Sequence, residues 1–175
     1  CKIDKSEHIM TVTLDRPDRL NALHPPANAE LGEVFDDFAG DDEMWVAIIT
    51  GNGRGFSAGN DLRYQAEGGQ RVPMPMGFAG LTSRFDLTKP VIAAVNGVAA
   101  GGGLSVALAC DIRVAAEEAR FTAIFVKRSI VPDTVSSYTL SVVAGQAVAS
   151  EMSLTGRIYD SEWAMSRGLV SRVGS

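Results

Sequence analysis

Pro90-Val-Ile-Ala-Ala-Val-Asn-Gly-Val-Ala-Ala-Gly-Gly-Gly-Leu-Ser-Val-Ala-Leu-Ala109 reads as a buried strand, a tight turn and the start of a helix. Glycine in a helix start costs roughly 1 kcal/mol per residue against alanine, so Gly101, Gly102 and Gly103 in a row mark a structural or functional need. One such need is a crowded crossing where side chains do not fit. The other is chemical. If the triplet opens the helix, the N–H of Gly102 is one of the unpaired first-turn donors, and the helix dipole adds positive potential there. A second turn, Gly55-Phe-Ser-Ala-Gly-Asn-Asp61, follows the strand-like Trp45-Val-Ala-Ile-Ile-Thr50. Two backbone N–H groups delivered by two such turns suit an oxyanion on a carbonyl.

Working outward, Ile9 to Leu14 alternates as a half-buried strand, closed by the turn Arg16-Pro17-Asp18. A helix is expected from about Pro26 to Ala39, with Leu31, Val34, Phe35 and Phe38 on one face. Strands are expected at 45–50, at Val91 to Val95 and at Ile112 to Ala115. Helices are expected at Ala79 to Leu87, 101–109, Ser136 to Ala144 and Ser161 to Arg167. The stretch Glu67 to Phe78, rich in Gly and Pro with Met74 and Met76, reads as a mobile surface loop or short lid. Val131-Pro132-Asp133 begins a turn. The order strand, strand, helix recurs, which makes the fold class α/β, a spiral of ββα units in a single domain spanning 1–175, more than a doubly wound sheet.

Composition bounds the function. With 46% apolar residues over 175 positions the chain can bury a sizeable core. A net charge of -5 argues against nucleic acid or an anionic membrane as a partner, so an anionic ligand must be met by local arginines and lysines. The apolar stretch Val91 to Cys110 is broken by Asn96 and the glycines and does not read as a membrane span. No signal peptide is seen, and a cytoplasmic location is expected. Cys1 and Cys110 have no framework spacing, and Cys110 is expected to be a buried free thiol. His8 and His24 read as surface residues. No His/Cys cluster has metal-ligand spacing, so no metal is implied. Gly51-Asn-Gly-Arg-Gly55 lacks the Lys-Ser/Thr of a phosphate-cradling P-loop and makes better sense as the lead into Ala58-Gly59-Asn60-Asp61.

Several segments taken in order carry a resemblance: Arg16-Pro-Asp-Arg-Leu-Asn-Ala-Leu23, Phe56-Ser-Ala-Gly-Asn-Asp-Leu62, Lys89-Pro-Val-Ile-Ala-Ala-Val-Asn-Gly97 with Ala100-Gly-Gly-Gly103, Ala109-Cys-Asp-Ile-Arg113 and Thr155-Gly-Arg157. Over nearly its whole length the chain resembles the crotonase (enoyl-CoA hydratase/isomerase) superfamily. The region from Ala66 to Asn96, with Gly77-Phe-Ala-Gly-Leu-Thr82, looks most like the carnitinyl-CoA dehydratase branch. The resemblance implies that the N–H groups of Asn60 and Gly102 form an oxyanion hole for an acyl-CoA thioester. It also implies that the Ala58 carbonyl accepts from the adenine amino group, that the backbone at Arg19 and Leu20 borders the CoA, and that Asp61 and Arg63 belong to the same binding site. No separate cofactor is implied, coenzyme A being part of the substrate.

The departures are as informative as the matches. Hydratases of the family use two glutamates to hold and activate water, and Ser105 and Phe125 stand at the matching positions. A hydroxyl and a phenyl ring cannot serve as the general acid and base of water addition. One acid remains in a matching place, Asp133, where isomerases of the family move a proton between two carbons of the acyl chain. Burial against apolar neighbours would suit that role, and a helix N-cap before Thr134-Val-Ser-Ser137 is the competing reading. Asp133-Thr-Val-Ser-Ser-Tyr138 is also similar to the nucleophile segment of aryl-CoA dehalogenases, but Phe78 stands where their histidine would be. A non-catalytic acyl-CoA-binding member is the further alternative. The resemblance implies a homotrimer or hexamer built by C-terminal helices, which this sequence lacks. The chain opens on Cys1 and not Met, and a longer protein is expected.

Overall fold

The computed structural model describes residues 1–70 and 72–174. In chain order the elements are β1 (Lys2–Ser6), β2 (Ile9–Leu14), α1 (Pro25–Gly40), β3 (Val46–Gly51), β4 (Gly55–Ser57), α2 (Leu62–Ala66), β5 (Val91–Val95), β6 (Val98–Ala100) and α3 (Gly102–Ala109). They continue with β7 (Ile112–Ala116), β8 (Arg120–Thr122), α4 (Ser136–Ala144), α5 (Gln146–Thr155), β9 (Tyr159–Asp160), α6 (Ser161–Ser166) and β10 (Arg172–Gly174). Short 3-10 turns lie at Pro17–Arg19, Phe78–Gly80 and Ile124–Arg128.

The strands form two sheets, one of six strands in the order β1-β2-β3-β5-β7-β10 and one of four in the order β4-β6-β8-β9. Successive strands therefore leave for different sheets: β3, β5 and β7 lie in the first, and β4, β6 and β8 in the second, all running parallel within their sheet. This is the expected spiral of ββα units. Its strands show why the pattern is legible, because β2, β3 and β5 alternate buried and part-exposed positions along their length.

Helix α1 begins with Pro25 at its first position, where the missing N–H costs nothing. His24 supplies no side-chain cap. The buried face of Leu31, Phe35 and Phe38 more than offsets that, since each such side chain contributes about 1.5–3 kcal/mol and a cap only about 1. Helix α3 is buried on every side from Gly102 to Leu108, as an all-apolar helix must be. Cys110 caps it as a buried free thiol, and desolvation pushes its pKa up to about 12.

Two expectations are corrected. Ala79 to Leu87 is not a helix: Gly77, Ala79 and Gly80 take positive φ values, and the segment is strapped to α1 instead. Asn28 Oδ1 accepts from the Ala79 N–H at 2.7 Å, while Arg84 donates to the Gly80 carbonyl at 2.8 Å and to Asp36 at 2.6 Å. The histidines are not simple surface residues. His8 is half-buried and stacked on Trp45 at 4.0 Å, and half-buried His24 meets the Tyr64 ring edge-on at 5.0 Å. Strands of two or three residues and helices α2 and α5 were not anticipated, the strands being too short to show a period. No helix among the described residues is long and apolar enough to cross a membrane.

Candidate active site

The first turn leaves β4 through Ala58, Gly59 and Asn60, with Gly59 at φ +85. Ser57 Oγ fixes it, donating to the Asn21 carbonyl at 2.9 Å and accepting from the Gly59 N–H at 3.2 Å. Asn21 is buried and ties this loop to its neighbour through its side chain, which donates to the Gly55 carbonyl at 2.7 Å and accepts from the Arg16 N–H at 2.8 Å. The Leu23 N–H donates to the Gly59 carbonyl, and the Asp61 N–H donates to the Leu23 carbonyl. This one-residue parallel bridge uses the amide groups on either side of Asn60 and leaves the N–H of Asn60 itself outside the ladder.

The second turn is Gly101-Gly102-Gly103. Gly101 sits at φ +53, donates to the Thr122 carbonyl at 3.0 Å and accepts from the Ser105 N–H at 3.0 Å. Gly102 is the first residue of α3, so its N–H has no acceptor within the helix. The two turns meet backbone to backbone. A Cβ on Gly59 would stand 2.7 Å from the Ala100 oxygen and 2.8 Å from the Gly102 nitrogen, and one on Gly103 would collide with the Ser57 carbonyl. Both readings of the triplet thus hold together: the crossing excludes side chains, and the same turn opens a helix.

These turns border a cavity of about 680 Å³. It brings together every site residue singled out in the sequence: Arg19, Leu20, Ala58, Asn60, Asp61, Arg63, Gly102 and Asp133 all line it. Arg54 and Arg128 join them at the rim, and Val72, Met74, Phe78, Ile124, Phe125 and Ile130 add an apolar wall. In the sequence Phe78 and Phe125 stand out only as replacements of catalytic side chains and Met74 only as part of the 67–78 loop; their meeting in one wall was not foreseen, because they lie in loops and 3-10 turns with no periodic signal. Among the others, Arg54 had a cue, its place in the loop that leads into the first turn.

The side chains differ in what they are free to do. Asp61 is buried, and its carboxylate accepts from Arg16 at 2.8 Å and from the Tyr64 N–H, capping α2, at 3.1 Å. Burial pushes its pKa up, but the Tyr64 N–H and the Arg16 guanidinium outweigh that and hold it below the ordinary carboxylate value. Asp61 therefore holds the rim in place. Asp133 does not cap α4; the N-cap is Val135, with φ 64, and Asp133 contributes its backbone carbonyl to the Ser136 N–H and hydroxyl at 2.8 and 2.6 Å. Its carboxylate makes no hydrogen bond among the described residues, and the residue is exposed, not buried against apolar neighbours. Ser105 is buried with its hydroxyl on the Gly101 carbonyl at 3.2 Å, and Phe125 is buried against the cavity. No group of three His, Cys, Asp or Glu residues able to hold a metal occurs among the described residues.

Two sheets filled in ββα steps, with two glycine turns meeting beside one cavity, are the crotonase fold. The model of the family described as enoyl-CoA hydratase/isomerase matches residues 4–175, and the chain belongs to that family. It is 49% identical over 172 residues to the carnitinyl-CoA dehydratase of Citrobacter koseri and 48% identical to that of Salmonella typhi, covering 95% of this chain in each case. The chain spans 65% of the length of these curated relatives. Among solved structures it superposes on an enoyl-CoA hydratase from Mycobacterium tuberculosis H37Rv with a TM-score of 0.93 at 36% identity, covering 99% of this chain and 68% of that one. A carnitinyl-CoA dehydratase from Mycobacterium avium 104 gives 0.93 at 32% identity, covering 99% and 69%.

Proposed function

We propose that the protein is an acyl-CoA enzyme that shifts a double bond along the acyl chain, using one acid. The observation that carries this reading is that Asp133, with an unbonded carboxylate, lines the same cavity as Asn60 and Gly102. The thioester oxygen would accept from the N–H groups of Asn60 and Gly102. Asp133 would take a proton from the carbon next to the carbonyl, giving a dienolate whose negative charge the two N–H groups and the α3 dipole hold. The carboxylic acid so formed would return the proton two carbons further along, moving the double bond into conjugation and restoring the carboxylate. Free arginines at the rim, Arg19, Arg54, Arg63 and Arg128, suit the phosphates of coenzyme A, and no further cofactor is required.

The relatives' names record dehydration. Double-bond movement needs no activated water, and here Ser105 is engaged with Gly101 and Phe125 is a phenyl ring, so neither can activate one. Those same two features favour a second reading, an acyl-CoA binder without catalysis. Proton exchange followed by NMR in D₂O on 3-enoyl- and 2-enoyl-CoA esters separates the two. Deuterium entering the acyl carbons supports the isomerase, and binding without exchange supports the binder. We also propose a homotrimer or hexamer. Exposed apolar side chains such as Val131, Val142, Leu154 and Ile158 support a face that a second copy covers, which sedimentation equilibrium would measure.

A further inference from the structure

The wall of the cavity nearest the second glycine turn is aromatic on both sides. The Phe78 ring lies 2.8 Å from where a Cβ on Gly102 would stand, and the Phe125 ring edge lies 3.9 Å from where one on Gly101 would stand. Both rings are buried, at 5% and 3% exposure, yet both face the cavity. A carbonyl held at Gly102 thus carries its acyl group in beside two phenyl rings. Ile124, Ile130, Val72 and Met74 continue that surface.

The charges around the cavity offer a cation little compensation. Arg19, Arg54, Arg63 and Arg128 line it, and none is in an ion pair among the described residues. Against them stand Asp18 and Asp133, because Asp61 is engaged with Arg16. With those arginines matched by the phosphates of coenzyme A, an ammonium group carried beside these rings would lose its water against hydrocarbon, its counter-charges among the described residues being only the solvent-exposed Asp18 and Asp133. A cation can also be drawn to a phenyl face, but phenylalanine offers less than tryptophan, and no free carboxylate among the described residues is buried against these rings.

We propose that Phe125 is a specificity-determining residue that, with Phe78, selects an uncharged hydrocarbon acyl group. It selects against a cationic one such as the trimethylammonium-bearing carnitinyl group for which the curated relatives are named. The inference rests on the acyl-CoA reading above and adds the class of acyl group. It also assigns the residue that the family resemblance marks as a loss a positive role, that of keeping the acyl site dry.

Titration calorimetry on the full chain tests it, with free coenzyme A, hexanoyl-CoA and 4-(trimethylammonio)butanoyl-CoA as the probes. The wild-type protein is expected to bind hexanoyl-CoA at least about tenfold tighter than the trimethylammonium ester, the scale on which an apolar pocket discriminates. Phe125→Leu is expected to keep that preference. Phe125→Gln is expected to lower hexanoyl-CoA affinity at least about tenfold while leaving free coenzyme A within about twofold. Equal or reversed preference in the wild type overturns the inference, as does a parallel loss of both ligands in a folded Phe125→Gln. If that variant does not fold, the wild-type preference and its retention in Phe125→Leu decide. Failure of all three probes to bind overturns the acyl-CoA reading itself, whereas binding without discrimination overturns this inference alone.

Discussion

Gly59 and Gly102 approach so closely that a methyl group on Gly59 would stand 2.8 Å from the Gly102 amide nitrogen. The two residues lie on different sheet-to-helix turns, one after β4 and one opening α3. Their contact joins two separate loops, as the proposed donor pair of Asn60 and Gly102 requires. Hydrogen bonds from Leu23 to Gly59 and from Gly101 to Thr122 hold each turn from behind, so the approach is set by the framework and not by a ligand.

Gly59→Ala should therefore damage chemistry more than fold. A Cβ at φ +85 is strained in itself, at a cost on the order of 1–3 kcal/mol, and it would also press on the Ala100 oxygen and the Gly102 nitrogen. Separating the turns misplaces a donor, and loss of one oxyanion donor typically costs about 10² to 10³ in rate. Deuterium exchange into an enoyl-CoA ester should fall by that factor. Exchange at the wild-type rate in a folded variant would remove the donor pair from the mechanism.

Asp133→Asn separates a chemical from a structural role. Its carboxylate caps nothing and makes no hydrogen bond among the described residues, so the unfolding midpoint in urea should barely move. Acyl-CoA affinity should persist as well, while exchange into the acyl chain should disappear. Exchange that survives the substitution would rule out Asp133 as the proton carrier.

How far the sequence could be read depended on whether a feature was local. Strand Ile9–Leu14 and helix Ser136–Ala144 occur with the boundaries expected, because alternation and helical spacing are properties of the segment itself. The glycine turns were legible for a related reason, since backbone donors need only the right turn and no distant partner. The segment after Gly77 was not: its conformation is decided by Asn28 and Arg84, through contacts about fifty residues apart or with its own carbonyls. The site followed the same division. That Asn60 and Gly102 sit on tight turns could be read, whereas the joining of Phe78 and Phe125 in one wall, the rim arginines Arg54 and Arg128, and the exposure of Asp133 exist only once remote segments meet.

Thr134 and Val135, between Asp133 and α4, hold φ values of +50 and +64. Positive φ is unusual for any β-branched residue and costs on the order of 1–3 kcal/mol. Glycine at Val135 would remove that strain but would add roughly 0.5–1 kcal/mol of chain entropy to the unfolded state. Val135→Gly should therefore gain about 1 kcal/mol in urea denaturation. If the strained turn is what aims Asp133 at the cavity, the stabler protein should exchange deuterium more slowly. A variant no more stable than the wild type would mean that the turn carries no such strain.

Arg16 links two groups whose titration should shape the acid limb of stability. It donates to the Asp61 carboxylate at 2.8 Å and to the Ala22 carbonyl at 2.5 Å. His24 lies close enough to feel the same guanidinium. Burial first, and then the Arg16 charge, hold the His24 pKa below its ordinary value of 6.5, and its Nδ1 is buried without a partner among the described residues. Protonation of His24 is thus easier in the unfolded chain, so stability present above pH 6.5 should begin to fall as pH drops below it, until the lower folded-state value is passed. Asp61 acts in the same direction but lower. Its pKa is held below the ordinary 3.8, so its contribution is complete above that value and is lost as pH falls through the depressed folded-state value. Urea midpoints measured from pH 8 to pH 2.5 should therefore decline in two stages. His24→Gln should flatten the first stage and leave the second, and Asp61→Asn should leave the first and shrink the second, to which Asp15 and Asp41 also contribute, with a lower plateau at neutral pH. A first stage unchanged by His24→Gln would assign it to another group and would break the proposed coupling through Arg16.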